Sequence, residues 1–364
     1  MPQSAHPAYR VHGEPVSLAD LLSVASEPEY RRDNFNRLSD FHLAVGSVVR
    51  MRVDGQLHEL EGGEPLTEPS LRNLLAPHLP PEVAARLEDP AFEAADFAFG
   101  AGNARFRANL FRTFRGLCAA IRILPSPVPD PFTLGFPDRQ LVDRLLALKN
   151  GLVLFTGATG SGKSTTIAAL VQRILDRQPR RIITLEDPIE FVYEDRAGLV
   201  SQRELGTHIK SFADGLSHAL REDPDVIVVG EIRDEDTARL ALRASETGHL
   251  VLATLHTRDV IGTLPRMLEL VPASAQATLG GQLALSLRYV IGHEQIVSQG
   301  GYRIALMEVL RNSAAISNHI RNAKWDQIQT VMQTGGKEGM WTRAASLKKL
   351  VEAGLVDPEQ AAQL

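Results

Sequence analysis

Cysteine is almost missing from this chain of 364 residues: Cys118 stands alone. A disulfide framework within one chain is therefore excluded, and so is a four-cysteine zinc site. Cys118 lies in the apolar run Leu117–Ile121 and reads as a small core residue. Long apolar runs are missing too, since no segment approaches the roughly 20 residues that span a bilayer. The first residues, "MPQSAHPAYRVHGEP", have neither the basic start nor the apolar core of a secretory signal. The expected compartment is the cytoplasm, with membrane contact only through partners. There is no excess of positive charge: 39 Lys and Arg against 44 Asp and Glu give a net charge of -5. Such a chain has no general attraction for phosphate backbones, so nucleic acid is not an expected partner.

What is present is enough apolar material, 44% of residues, for sizeable cores. Single cores stop growing at roughly 250 to 300 residues, so two domains are expected. Residues 1–38 read as an N-terminal extension, partly flexible, with a short helix over Leu18–Ser26. From Phe41 to Leu124 the texture is strand-like, with a hairpin signal at Asp54-Gly55 and a helix over Glu82–Leu87. The stretch "PSPVPDPF" marks a stiff linker, placed at 126–135 between a domain over 39–125 and another over 136–364. Beyond it, helices alternate with short apolar runs. Expected strands are Leu152–Phe155, Arg181–Leu185, Val226–Val229 and Leu250–Leu255. Expected helices are Arg139–Lys149, Lys163–Asp176, Ser211–Arg221 and Glu235–Thr247, with a helical tail from Ala275 to the end. The alternation predicts an α/β fold with a largely parallel sheet.

The strongest motif is "GATGSGKS", which fits G-x-x-x-x-G-K-[ST] and sits between an apolar strand and a helix. Its residues Gly157, Ala158, Thr159, Gly160, Ser161, Gly162, Lys163, Ser164 and Thr165 are the candidate nucleotide-binding set. Backbone N–H groups and the helix start would hold the phosphates, Lys163 would reach the β- and γ-phosphates, and the Ser164 hydroxyl would bind magnesium. Expected cofactors are accordingly ATP and Mg2+. Glu186 and Asp187 stand at the end of a second strand, where ligands sit in open α/β sheets. Glu231 follows a third strand, in "VIVVGEIRD", and is the candidate general base for an attacking water. The usual aspartate directly after such a strand is replaced by Gly230. His249 and His256 flank a fourth strand as candidate sensing or positioning groups.

In this order, "GATGSGKST", "LEDPIEF", "REDPDVIVVGEIRD" and "ETGHLVLATLHT" resemble the secretion ATPase superfamily, and within it the PilT-type retraction motors of type IV pili. The resemblance runs from about Ser39 to the C-terminus. It implies a RecA-like P-loop ATPase domain, preceded by a smaller α+β PAS-like domain carrying "SDFHLAVG", "RVDGQL" and "ARFRANLFRTFRG". It also implies a homo-hexameric ring that hydrolyses ATP with magnesium, peripheral at the inner membrane through a pilus platform protein. Glu186 to Glu190 fall in the family's acidic box, Glu231 is its Walker B glutamate, and His249 and His256 belong to its histidine box. The basic strand supplies Arg105, Arg107 and Arg112 as candidates to neutralise the transferred phosphoryl group, with Arg115 and Arg122 less favoured. Segments "ISNHIRN" and "QTGGKEGM" resemble the tail of retraction motors, although Ser317 and Asn322 stand where a basic and an acidic residue are usual.

Other readings stay open at this point. These are an accessory PilU-like retraction ATPase, a type II or type IV secretion or conjugation ATPase, and a non-hydrolysing nucleotide-dependent regulator. An extension motor typically carries a four-cysteine insertion, which a single cysteine cannot supply.

Overall fold

The computed structural model describes residues 9–27, 30–32, 35–102, 104–124, 128–301 and 303–363. The chain divides into two compact units, Met1–Pro127 and Val128–Leu364. Part of the expected Pro-rich linker, at 125–127, lies outside the described residues, as do residues 1–8 of the expected extension.

The first unit is built on a six-stranded antiparallel sheet. Its strands are β1 (Leu38–Ala44), β2 (Arg50–Val53), β3 (Gln56–Glu59), β4 (Ala94–Ala101), β5 (Ala104–Thr113) and β6 (Gly116–Ile123), in the order β3-β2-β1-β6-β5-β4. Asp54 and Gly55 turn β2 into β3 with φ of +49° and +85°, the conformation a two-residue hairpin needs. Helices α1 (Leu18–Ser23), α2 (Glu68–Leu75) and α3 (Pro81–Leu87) complete the unit. In α1, Ser17 accepts from the Asp20 N–H and Asp20 accepts from the Ser17 N–H, a reciprocal cap. This helix sends Leu18, Leu21 and Leu22 into the same core as Phe41, Phe106 and Leu110. The extension is thus not loose throughout: Tyr9 is buried, and Arg10–Val11 pairs with Glu14–Pro15.

The second unit is a seven-stranded sheet. Its strands are β7 (Gly151–Thr156), β8 (Arg181–Glu186), β9 (Leu199–Glu204), β10 (Val226–Val229), β11 (Leu250–Leu255), β12 (Leu287–Val297) and β13 (Arg303–Arg311). The order is β9-β8-β10-β11-β7-β12-β13, parallel except for the antiparallel edge strand β13. Strands covered on both faces carry continuous apolar runs, and β7 shows why. Leu152 and Leu154 face one core, with helices α6 (Phe212–Ala219), α7 (Glu235–Glu246), α8 (Val260–Glu269) and α9 (Ala273–Ser286). Val153 and Phe155 face the other, with α4 (Arg139–Leu146) and α5 (Lys163–Arg177).

The tail is not helical throughout, which corrects the sequence expectation. After α9 the chain forms β12 and β13, a hairpin inside the region read as helix, because Tyr289, Val290, Ile291 and Ile296 are strand formers that find a partner at the open edge of β7. Only then follow α10 (Ala314–Arg321), α11 (Trp325–Thr334), α12 (Arg343–Glu352) and α13 (Pro358–Ala361). Two of these pack on the hairpin, where Leu350 and Val356 cover Ile296, Ile304 and Leu306.

Leu154 is fully buried at the centre of the sheet. Leu154→Ala should lower stability by about 2–5 kcal/mol in chemical denaturation, from lost burial and the residual cavity.

Candidate functional site

The phosphate loop hangs from the C-terminal end of β7, next to β11 on one side and β12 on the other. Its glycines are required by geometry. Gly157, Gly160 and Gly162 have φ of +136°, +78° and +98°, and a Cβ on Gly157 would lie 2.3 Å from the carbonyl oxygen of His293. Gly162 caps α5, so the N-terminal end of that helix opens onto the loop. Lys163 is buried, and its ammonium donates to the carbonyl oxygens of Gly157 at 2.7 Å and Ala158 at 2.9 Å. Burial lowers its pKa, while the nearby carboxylates of Glu231 and Glu190 favour the charged form. Ser164 and Thr165 follow on the first turn, Ser164 exposed. The Ser161 hydroxyl is buried with no hydrogen-bond partner, an orphan that an anionic ligand's oxygen would satisfy.

Three parallel strands bring acidic and histidine side chains to this end of the sheet. Glu186 ends β8, receives hydrogen bonds from Thr184 at 2.5 Å and Gln202 at 3.1 Å, and has its pKa raised chiefly by burial. Asp187 follows on an exposed turn before Pro188. Glu231 comes two residues after β10. One of its oxygens, Oε2, lies 2.6 Å from Arg233 and 3.3 Å from His256 Nε2, so the candidate base is held from two sides.

The substitution at Gly230 has a structural cause. Its N–H donates to Leu185 O at 2.7 Å and its carbonyl accepts from Thr254 Oγ1 at 2.5 Å, locking β10 between β8 and β11. A Cβ there would stand 3.0 Å from Leu185 O and 3.2 Å from the Phe212 ring. Gly230→Asp should therefore destabilise the fold by about 1–3 kcal/mol, read by thermal melting.

His256 follows β11 directly, beside Glu231, but His249 does not join it. His249 precedes the same strand, so the two are roughly 20 Å apart at ~3.3 Å per residue. Its Nδ1 lies 3.0 Å from the carbonyl of Ala244, at the C-terminal end of α7. The arginines separate as well. Arg105 and Arg107 share one face of β5, with Arg107 3.8 Å from Asp96. Arg112 has the opposite parity, 3.9 Å from Glu68 of α2, and donates to Leu87 O. Arg122 is paired with Asp40 at 2.9 Å, and Arg115 lies over the Phe114 ring.

The loop opens into a cleft of about 1140 Å3, whose wall includes Arg233, Arg258 and Arg303 as well as His256 and His293. These arginines make it suited to a polyphosphate. The sequence reading passed over them, although Arg233 and Arg258 follow Glu231 and His256 by two residues each. The wall beyond the loop also includes the segment from Glu294 to Val297. His293 was also missed. Its ring is buried, with Nε2 3.0 Å from Thr166 Oγ1.

The profile of the type II/IV secretion system protein family matches residues 39–360. The chain belongs to this family. Relatives within reach include the uncharacterized protein YggR of Escherichia coli K12, 42% identical over 320 residues, 88% of this chain and 96% of that protein. The type IV pilus retraction ATPase PilT of Pseudomonas aeruginosa is 41% identical over 324 residues, 89% of this chain and 93% of PilT. Among solved structures, the pilus retraction motor PilT with bound ADP superimposes with a TM-score of 0.84 at 37% identity, covering 96% of each chain. The α/β fold, a mixed sheet covered by helices, is therefore shared with PilT.

Burial pushes the His293 imidazole down to about 4, against the ordinary value near 6.5. The unfolded chain takes up this proton between those values and the folded chain does not, so stability falls as pH falls through that window and no further below it. The loss from this group should total about 3 kcal/mol between pH 6.5 and 4, and should be missing from His293→Gln when both are unfolded with denaturant.

Proposed function

We propose that the chain is an ATP-hydrolysing motor of PilT type that drives retraction of type IV pili. The carrying observation is the convergence of the phosphate loop, Glu231 and His256 at one end of the sheet's parallel strands, in a chain 41% identical to PilT over 93% of PilT's length. Lys163, now satisfied by two loop carbonyls, would exchange them for phosphate oxygens. Glu231 would orient a water and accept its proton as the oxygen attacks the γ-phosphorus; the bond to the β–γ bridging oxygen breaks, leaving ADP and phosphate. The Thr156 hydroxyl donates to the carbonyl oxygen of Thr257 and accepts from its N–H, tying the end of β7 to the residue after His256, so that loop and histidine keep register.

Among the described residues no group of three or more His, Cys, Asp or Glu is arranged to hold a metal. The exposed Ser164 hydroxyl at the helix start fits magnesium nonetheless, because that ion keeps several waters and takes its remaining ligands from phosphates. Bound there, it would neutralise charge on the β- and γ-phosphates. Arg105, Arg107 and Arg112 are the arginine candidates of the first unit, the first two on one face of β5 and Arg112 on the other. We also assign a homo-hexameric ring, acting from the cytoplasm on an inner-membrane platform protein. No helix among the described residues is long and apolar enough to cross a membrane.

Glu231→Gln decides the reading. The purified variant should lose ATP turnover while still binding ADP, and cells carrying it should assemble pili that do not retract. Undiminished turnover would remove Glu231 as the base. Cells without pili would point to an extension motor instead.

A further inference from the structure

Building on the nucleotide reading, we propose that His293 is a positioning residue that holds the phosphate loop and the first turn of α5 in the shape that receives phosphates. His293 is far from the loop in sequence, on β12, yet it grips the loop at both ends. At the entry, its carbonyl oxygen packs so closely on Gly157 that only glycine fits there. At the exit, its ring nitrogen meets Thr166, three residues beyond Lys163, at 3.0 Å. A loop with three glycines at positive φ has little stiffness of its own, so its shape must be imposed from outside.

The chemistry of the contact is directional. His293 Nδ1 lies 3.3 Å from Ile291 O, an acceptor only, which assigns the ring proton to Nδ1. Nε2 is then an acceptor, and the Thr166 hydroxyl donates to it. The ring is enclosed, with Phe155 at 5.9 Å between centroids, so no water competes for that bond. A leucine in its place fills much of the volume but leaves the Thr166 hydroxyl without its acceptor. A glutamine keeps a carbonyl oxygen able to serve.

The test is a double-mutant cycle on the full chain with three readouts: ADP affinity by titration calorimetry, steady-state ATP hydrolysis, and amide hydrogen exchange of residues 157–166 without nucleotide. Thr166→Val and His293→Leu should each weaken ADP binding and raise KM for ATP by about tenfold, with a smaller change in kcat, as expected for one lost buried hydrogen bond. Loop amides should exchange faster in both. The double variant should be no worse than either single change, and His293→Gln should bind ADP within about threefold of the native chain. Effects that multiply, or loop exchange unchanged in Thr166→Val, would overturn the proposal. If His293→Leu fails to fold, Thr166→Val and His293→Gln still decide it. A native chain that exchanged as expected but bound no ADP would defeat the ATPase reading and leave the positioning role standing.

Discussion

Strand β7 can sit at the centre of the second unit only because it is buried on both faces, and that constraint places everything else at the site. Leu152 and Leu154 are committed to one core and Val153 and Phe155 to the other, so the strand has no freedom to slip or turn over. Its end is thereby a fixed point. The chain leaves that point as a loop of glycines between β11 and β12, and those neighbours bring His256 and His293 to its two sides. The site is an edge property of the sheet: the ends of β7, β8, β10 and β11, and a wall from β12, meet at one rim.

The charge balance at this rim follows from the same arrangement. Lys163 is forced inward by the loop and loses hydration, and Glu231 and Glu190 offset part of that loss. Glu231 in turn is held by Arg233 and His256. Glu186, one strand further out, sits where burial favours its protonated form, and Thr184 and Gln202 act against that by donating hydrogen bonds. Neighbouring carboxylates in one rim are thus given different surroundings, one held by an arginine and a histidine and one by a hydroxyl and an amide.

Much of this was readable in the sequence, and the parts that were not share a physical reason. The loop, the strand ends with Glu186 and Glu231, and the Asp54-Gly55 turn are local signals, written in consecutive residues. Gly230 could be seen but not explained, because its cause lies in Leu185 and Phe212, distant in sequence. His249 and His256 looked equivalent as flanks of one strand, yet the length of a strand separates its flanks across the whole sheet. The hairpin of β12 and β13 reads as helix in the sequence because short apolar runs fit both periods, and only the unfilled edge of β7 decides between them. His293 gave no signal for the same reason, since a lone histidine acquires meaning only from the loop that it touches.

That hairpin has two faces of responsibility. Glu294 lies on the cleft wall and is held by both nitrogens of a fork from Arg343 of α12, at 2.7 and 3.0 Å. Val297, on the same wall, accepts from Gln360 of α13 through its carbonyl. The inner end of the hairpin borders the nucleotide cleft while its back carries the last helices of the chain. It is a single crank with two arms, and a tilt of one arm is geometrically a tilt of the other.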